Sequence, residues 1–206
     1  MAAQRLARAA SRLMRMIGED DCALAGGLAV SAHGYVRATR DVDIIVAVPL
    51  EEARRRLSAH GLEMRLLRGD IFEGDFPCLK GVIDGVPFDV LPPLVPIEPD
   101  RTVLLDLHPL RLRVVDFDTL TRLKLKAGSP KDLWDIAILA NLRPDRRERA
   151  LRLAAHDPAL VERLISFIDD PRARREASER AAEPRRITRK NGRRRSKRAK
   201  RPRKRA

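Results

Sequence analysis

Asp41 and Asp43 stand one residue apart in "RATRDVDIIVAV", at the mouth of an apolar run. In a strand, residues i and i+2 point to the same face, so the two carboxylates are expected side by side. Val42, Ile44 and Val46 then take the other face. Two neighbouring carboxylates in a partly apolar setting repel, and one tends to take up a proton. A divalent cation would remove that penalty, and hard cations such as Mg²⁺ use one or two carboxylates together with substrate phosphates. A third carboxylate, Asp89, lies in "VPFDVLPP", with Phe88 and Val90 on the opposite face. If its strand neighbours that of Asp43, three carboxylates could surround two metals roughly 4 Å apart. Such a pair stabilises the attacking and leaving oxygens of a phosphoryl or nucleotidyl displacement. Upstream, Gly26 and Gly27 follow "CALA". Glycines at a strand-to-helix junction let an anion approach the backbone N–H groups closely.

The elements that would position these groups can be read along the chain. Residues 4–18 have helical apolar spacing through Leu6, Leu13, Met16 and Ile17. "CALAGG" reads as a strand running into the glycines, "LAVSAHG" as a helix, "VDIIVAV" as a strand and "LEEARRRLSAHG" as a helix stopped by Gly61. "LEMRLL" suits a short strand. "FPCLKGVIDGVPFDVLPP" is a hairpin, with Asp84-Gly85 supplying the turn. Residues 102–115 hold one or two strands. "DFDTLTRLKLKAG" is a helix with Asp116 or Asp118 as N-cap, and "SPKDLWDIAILANL" is another, capped by Ser129 with Pro130 in its first turn. Residues 145–155, 158–168 and 172–183 read as further helices. The expectation is an α/β or α+β domain with a small mixed sheet, flanking helices and a helical C-terminal part. Its boundaries would fall at residues 1–142 for the mixed domain, 143–184 for the C-terminal helices and 185–206 for the tail.

Composition narrows the setting. The 206 residues suffice for one core plus a tail. Aromatics make up only 3%, so the core must be built from aliphatic side chains. No apolar run reaches the roughly 20 residues of a membrane helix. The arginine-studded N-terminus lacks the apolar stretch of a secretory signal, and an amphipathic helix is preferred to a transit peptide there. Cys22 and Cys78 are too few for a disulfide framework, which points to a reducing cytoplasm. The net charge of +14 belongs to the tail. Residues 185–206 hold 14 of the 43 Lys and Arg and no acid, so the other 29 balance 29 Asp and Glu. The tail reads equally as a solvated, disordered extension or as a nonspecific anchor for RNA or DNA, with nuclear localisation a minor alternative. It has no aromatics with which to stack bases.

Gly-Gly at a strand–helix junction, then Asp-x-Asp, then a later Asp in an apolar strand resembles the nucleotidyltransferase superfamily. "LKLKAGSPKDLWDI" is similar to a segment of its abortive-infection-type toxin branch. The resemblance covers about residues 20–142. It implies Mg²⁺ held by Asp41, Asp43 and Asp89, with Asp89 also the base or orienter of the incoming hydroxyl. It implies a triphosphate bound at Gly26 and Gly27, Lys124 neutralising phosphate charge, and Lys131, Asp132 and Asp135 shaping the site from the next helix. Tyr35, Arg37 and Arg40 flank the site, and one of the two arginines is expected to touch nucleotide, with Arg40 taken as the nucleotide-binding one. His33 and Trp134 are read as structural. The implied reaction moves NMP from an NTP to a hydroxyl of RNA (tRNA included), protein or a small molecule, with a paired antitoxin allowed by the toxin-like branch. The alternative is a catalytically inactive protein of the same fold that binds nucleic acid through its basic tail.

Overall fold

The computed structural model describes residues 2–69, 76–94, 102–107 and 109–182. The basic segment 185–206, and with it the expectation of a disordered nucleic-acid anchor, lies outside the described residues. The chain runs α1 (Ala2–Ile17), β1 (Cys22–Leu24), α2 (Gly26–Ala32), β2 (Val42–Val46), α3 (Leu50–Ala59) and β3 (Met64–Leu67). It continues through β4 (Cys78–Ile83), β5 (Val86–Leu91), β6 (Thr102–Leu107) and β7 (Leu110–Val115). Five helices follow: α4 (Phe117–Ala127), α5 (Pro130–Asn141), α6 (Pro144–Ala154), α7 (Pro158–Ile168) and α8 (Pro171–Ala182). This is a mixed α+β architecture, as the alternation of sequence periods requires.

The strands form one sheet in the order β3-β4-β5-β2-β1-β7-β6. The β2–β5 and β1–β7 pairs are parallel, and the remaining pairs are antiparallel. The β4–β5 hairpin turns at Asp84 and Gly85, with φ of 51° and 68°. Two successive positive φ values match the right-handed twist of the strands, which is why Asp-Gly suits this turn. Arg12 of α1 adds an ion pair to Asp84 at 2.7 Å.

Alternation along the central strands divides the sheet. Val42, Ile44, Phe88 and Val90 are fully buried on one face, where α1 and α3 pack. Asp43 and Asp89 take the other face, towards α2 and α4. The buried stripe of α1 runs through Ala10, Leu13, Met14 and Ile17. Met14 rather than the expected Met16 belongs to it, because the i, i+3, i+4, i+7 spacing from Ala10 leaves Met16 at the margin.

Caps fix the two helices that close the site. The Asp116 carboxylate accepts from the Thr119 N–H at 2.7 Å, and Gly128 ends α4 in the left-handed region at φ 64°. Ser129 Oγ accepts from the Asp132 N–H, and Pro130 starts α5. Helix α5 is buried along Leu133, Ile136, Ala137 and Ala140 against α6, α7 and α8. Among the described residues no helix is long and apolar enough to cross a membrane.

Candidate active site

Asp43 is the hub of the carboxylate face. Parallel pairing of β2 and β5 sets it directly opposite Asp89. The backbone carbonyl of Asp43 accepts from Ala25 N–H at 2.9 Å, which draws the start of α2 against β2. Gly26 sits there at φ 53°, and a Cβ on it would lie 1.7 Å from Asp43 Oδ2. A Cβ on Gly27 would lie 2.6 Å from Thr39 Oγ1. Both positions therefore require glycine, the first for its backbone angle as well as its size. The Gly27 N–H is directed at Asp43 Oδ2, 3.4 Å away. Asp41 precedes β2 rather than lying within it, and its carboxylate accepts from Thr39 Oγ1 at 2.8 Å.

These groups open onto a cavity of about 280 Å³. Its lining includes Gly26, Gly27, Arg37, Thr39, Asp41 and Asp43 from the sheet side, and Lys124, Lys131 and Asp132 from α4 and α5. Leu91, Leu120 and Leu123 supply an apolar wall. Burial, then the charges of Asp41 and Asp89, push the Asp43 carboxyl up to about 6, against the opposing pull of the Gly27 N–H and Lys124. The repulsion anticipated from the Asp-x-Asp spacing is thus present, with burial the larger cause.

A locked charge network ties α4 and α5 to the segment before β2. Asp135 is 1% exposed and grips Arg37 through two parallel hydrogen bonds of 2.8 and 2.9 Å. Lys124 Nζ lies 2.7 Å from Asp135 and 2.8 Å from Asp132. Asp132 also accepts from Ser129 Oγ at 2.6 Å. Its pKa is lowered: burial opposes the shift, but Lys124 and the Ser129 hydrogen bonds outweigh it. The bidentate fork fixes the plane of the Arg37 guanidinium, and Asp135 holds two cations at the cavity with one carboxylate.

Asp89 does not line the cavity; its carboxylate turns to Lys80 of β4, 2.6 Å away. That hydrogen bond holds the Lys80 ammonium above its ordinary pKa. Among the described residues no group of three His, Cys, Asp or Glu side chains stands arranged to hold a metal ion. The donor set nevertheless fits one hard cation. Asp41 and Asp43 both offer carboxylate oxygens to the cavity, and burial together with the charges of Asp41 and Asp89 raises the Asp43 pKa, a cost that a bound cation would offset. Asp89 stands beside them, in register with Asp43 and held by Lys80.

The sequence-derived residues are placed as follows. Asp41, Asp43, Gly26, Gly27, Lys124, Lys131 and Asp132 share one cavity. Asp135 lies behind it, buried. Arg40 is exposed and outside the lining, whereas Arg37 lies within it because Asp135 anchors it there. Thr39 and Lys80 stand outside the motif, and Arg37, one of the two arginines flanking it, takes the place expected of Arg40. The hairpin register Lys80↔Asp89 could have flagged Lys80, since it follows from the Asp84-Gly85 turn. His33 is buried and its Nε2 meets the Val115 carbonyl at 2.8 Å, a structural contact. Trp134 packs against the core, edge-on to Phe167.

No family model matches the chain, and no curated protein does. Among solved structures it is similar to a candidate nucleotidyltransferase from Thermotoga maritima (17% identity, 61% of this chain and 84% of that one, TM-score 0.48). It is also similar to an antigenic nucleotidyltransferase-like protein from Paracoccidioides brasiliensis (18%, 82% and 95%, TM-score 0.44). A third likeness is to ANT(2")-Ia in complex with adenylyl-2"-tobramycin (16%, 76% and 95%, TM-score 0.37).

Proposed function

We propose that the chain is a divalent-cation-dependent nucleotidyltransferase, moving NMP from an NTP to a hydroxyl acceptor. The observation that carries this reading is the single cavity in which Asp41 and Asp43 face Lys124, Arg37 and Lys131 across the Gly26–Gly27 wall. Carboxylates and cations within one lining suit a metal-chelated polyphosphate, which needs both. Mg²⁺ held by Asp41 and Asp43, and by Asp89 once freed, would neutralise phosphate charge and align the displaced oxygens.

The chain's own groups do the rest. Gly26 and Gly27 let the start of α2 close on Asp43 and Thr39, whose side chains fill the space a Cβ would take, and so hold both against the cavity. Lys124 and Arg37 are held in place before substrate arrives, so little ordering is required when the triphosphate binds. Lys131 is exposed at the rim and meets the outer phosphates. Asp89, one strand over and in register with Asp43, orients the acceptor hydroxyl and takes its proton.

The Asp89–Lys80 pair favours a second reading, in which the carboxylate triad never assembles and the protein binds nucleic acid without turnover. Incubating the purified chain with Mg²⁺ and each α-labelled NTP separates the two, with total tRNA or lysate protein as acceptor. Label transfer by wild type, lost in an Asp41→Ala/Asp43→Ala variant, supports the transferase and identifies the acceptor class by the labelled band. No transfer with any NTP supports the second reading.

A further inference from the structure

The carboxylate row does not stop at Asp89. Strand register carries it across four neighbouring strands: Asp43 opposite Asp89, Asp89 opposite Lys80, Lys80 opposite Arg65. Residues opposite one another share a face, so one line of side chains runs from two acids on β2 and β5 to two bases on β4 and β3. The basic end is open. Arg65 and Lys80 are exposed, and Val82 beside them is 58% exposed. A groove of about 580 Å³ lies along this end, lined by Glu63, Arg65, Lys80 and Val82 among others. Among the described residues of that lining Glu63 is the one carboxylate.

The shape argues for an extended occupant. The groove lies along β3, the outermost strand on its side of the sheet. A compact ligand would be enclosed poorly there, whereas a strand with phosphates along its length could lie across β4 and β3 and reach Asp89 with its end. The Lys80–Asp89 pair supplies the coupling. Both side chains retain solvent access, at 49% and 24% exposure, so the contact can be exchanged. A phosphate offered to Lys80 takes over that contact and releases the Asp89 carboxylate towards Asp43.

We propose that this groove is the acceptor subsite, that it seats the phosphodiester backbone of a nucleic-acid strand on Arg65 and Lys80, and that Lys80 passes from Asp89 to an acceptor phosphate. The word acceptor rests on the transferase reading above; the binding of the strand does not.

The test uses the full chain, without NTP or divalent cation, and a short single-stranded oligoribonucleotide carrying a photoreactive 4-thiouridine near its 3′ end. Cross-linked peptides are mapped by mass spectrometry, which separates the groove from the basic tail. Adducts are expected within residues 61–65 and 80–82, together with any formed in 185–206. A Lys80→Gln/Arg65→Gln variant is expected to lose the groove adducts by about tenfold while keeping those of the tail. Both substitutions replace exposed side chains, and a thermal melt checks that the fold is retained. Adducts confined to residues 185–206, or groove adducts undiminished in the double variant, overturn the assignment and leave the groove to a protein partner or to none. Groove adducts in a chain without transfer activity would remove the transferase reading and keep the strand-binding groove. Transfer activity without groove adducts would do the opposite.

Discussion

The carboxylate face has two halves that treat charge differently. Beneath α4 and α5 the charges are buried and shared: Asp135 holds both Arg37 and Lys124, and Lys124 also meets Asp132. Over β4 and β3 the solvent-accessible Lys80–Asp89 pair stands at the head of an open groove. Breaking a buried pair strands a desolvated charge, whereas exchanging a surface pair costs little. The first half is therefore built to stay fixed and the second to change partners. Such a division suits an enzyme that holds its nucleotide in a prepared pocket and meets its acceptor on an open surface.

The contrast can be broken most strongly at its rigid side. Asp135→Ala leaves Arg37 without its carboxylate partner and Lys124 with only Asp132, and is expected to cost about 3–5 kcal/mol in urea unfolding. A cost below about 1 kcal/mol would show that the network is not rigid. Gly26→Ala places a methyl group on the Asp43 carboxylate at a positive φ, and a loss of about 2–4 kcal/mol is expected from the same measurement.

Asp43→Asn moves the other way. It removes a buried charge pressed by Asp41 and Asp89, so the cation-free variant is expected to melt a few degrees above wild type at neutral pH. A lower melting temperature would mean that its hydrogen bond to Gly27 outweighs the repulsion. On the open side, Lys80→Gln should change stability by less than about 1 kcal/mol, the range of an accessible pair. It should also tighten Mn²⁺ binding severalfold by electron paramagnetic resonance, because the competing ammonium is gone.

The smallest effect concerns pH. Burial lowers the pKa of His33, while its contact with the Val115 carbonyl opposes that shift. The unfolded chain then takes up the proton first, so the stability from keeping this ring neutral is present above its ordinary pKa of 6.5 and is lost as pH falls towards the folded value. Urea midpoints at pH 7.5 and 5.5 should converge between wild type and a His33→Gln variant at the lower pH.

Much of this arrangement was legible in the residues, and the limits of that legibility are physical. Local chemistry was readable: Asp84-Gly85 as a hairpin turn, Ser129-Pro130 as a helix start, and period-two alternation placing Asp43 opposite the apolar face. The β2–β5 pairing joins strands 42–46 and 86–91, which are not consecutive, so the neighbourhood of Asp43 and Asp89 could only be a condition. Choice of ion-pair partner was less accessible still. Arg37 and Arg40 differ in sequence only by three positions, and Asp135, distant in the chain, brings the first into the cavity while the second stays outside. Lys80 differs, because its pairing with Asp89 follows from the Asp84-Gly85 turn and was within reach of the sequence. A lysine in an amphipathic hairpin looks like a solvated charge until its register against Asp89 is known.

Transfer of α-label from NTP by wild type and by Asp43→Asn, side by side with their melting curves, tests the central claim most directly. The account predicts label transfer by wild type and a loss of at least about a hundredfold in a variant that is no less stable, the order expected when a group acting on the developing charge is removed. Equal transfer by both proteins would contradict the role given to Asp43, and no transfer by either with any NTP would contradict the transferase itself.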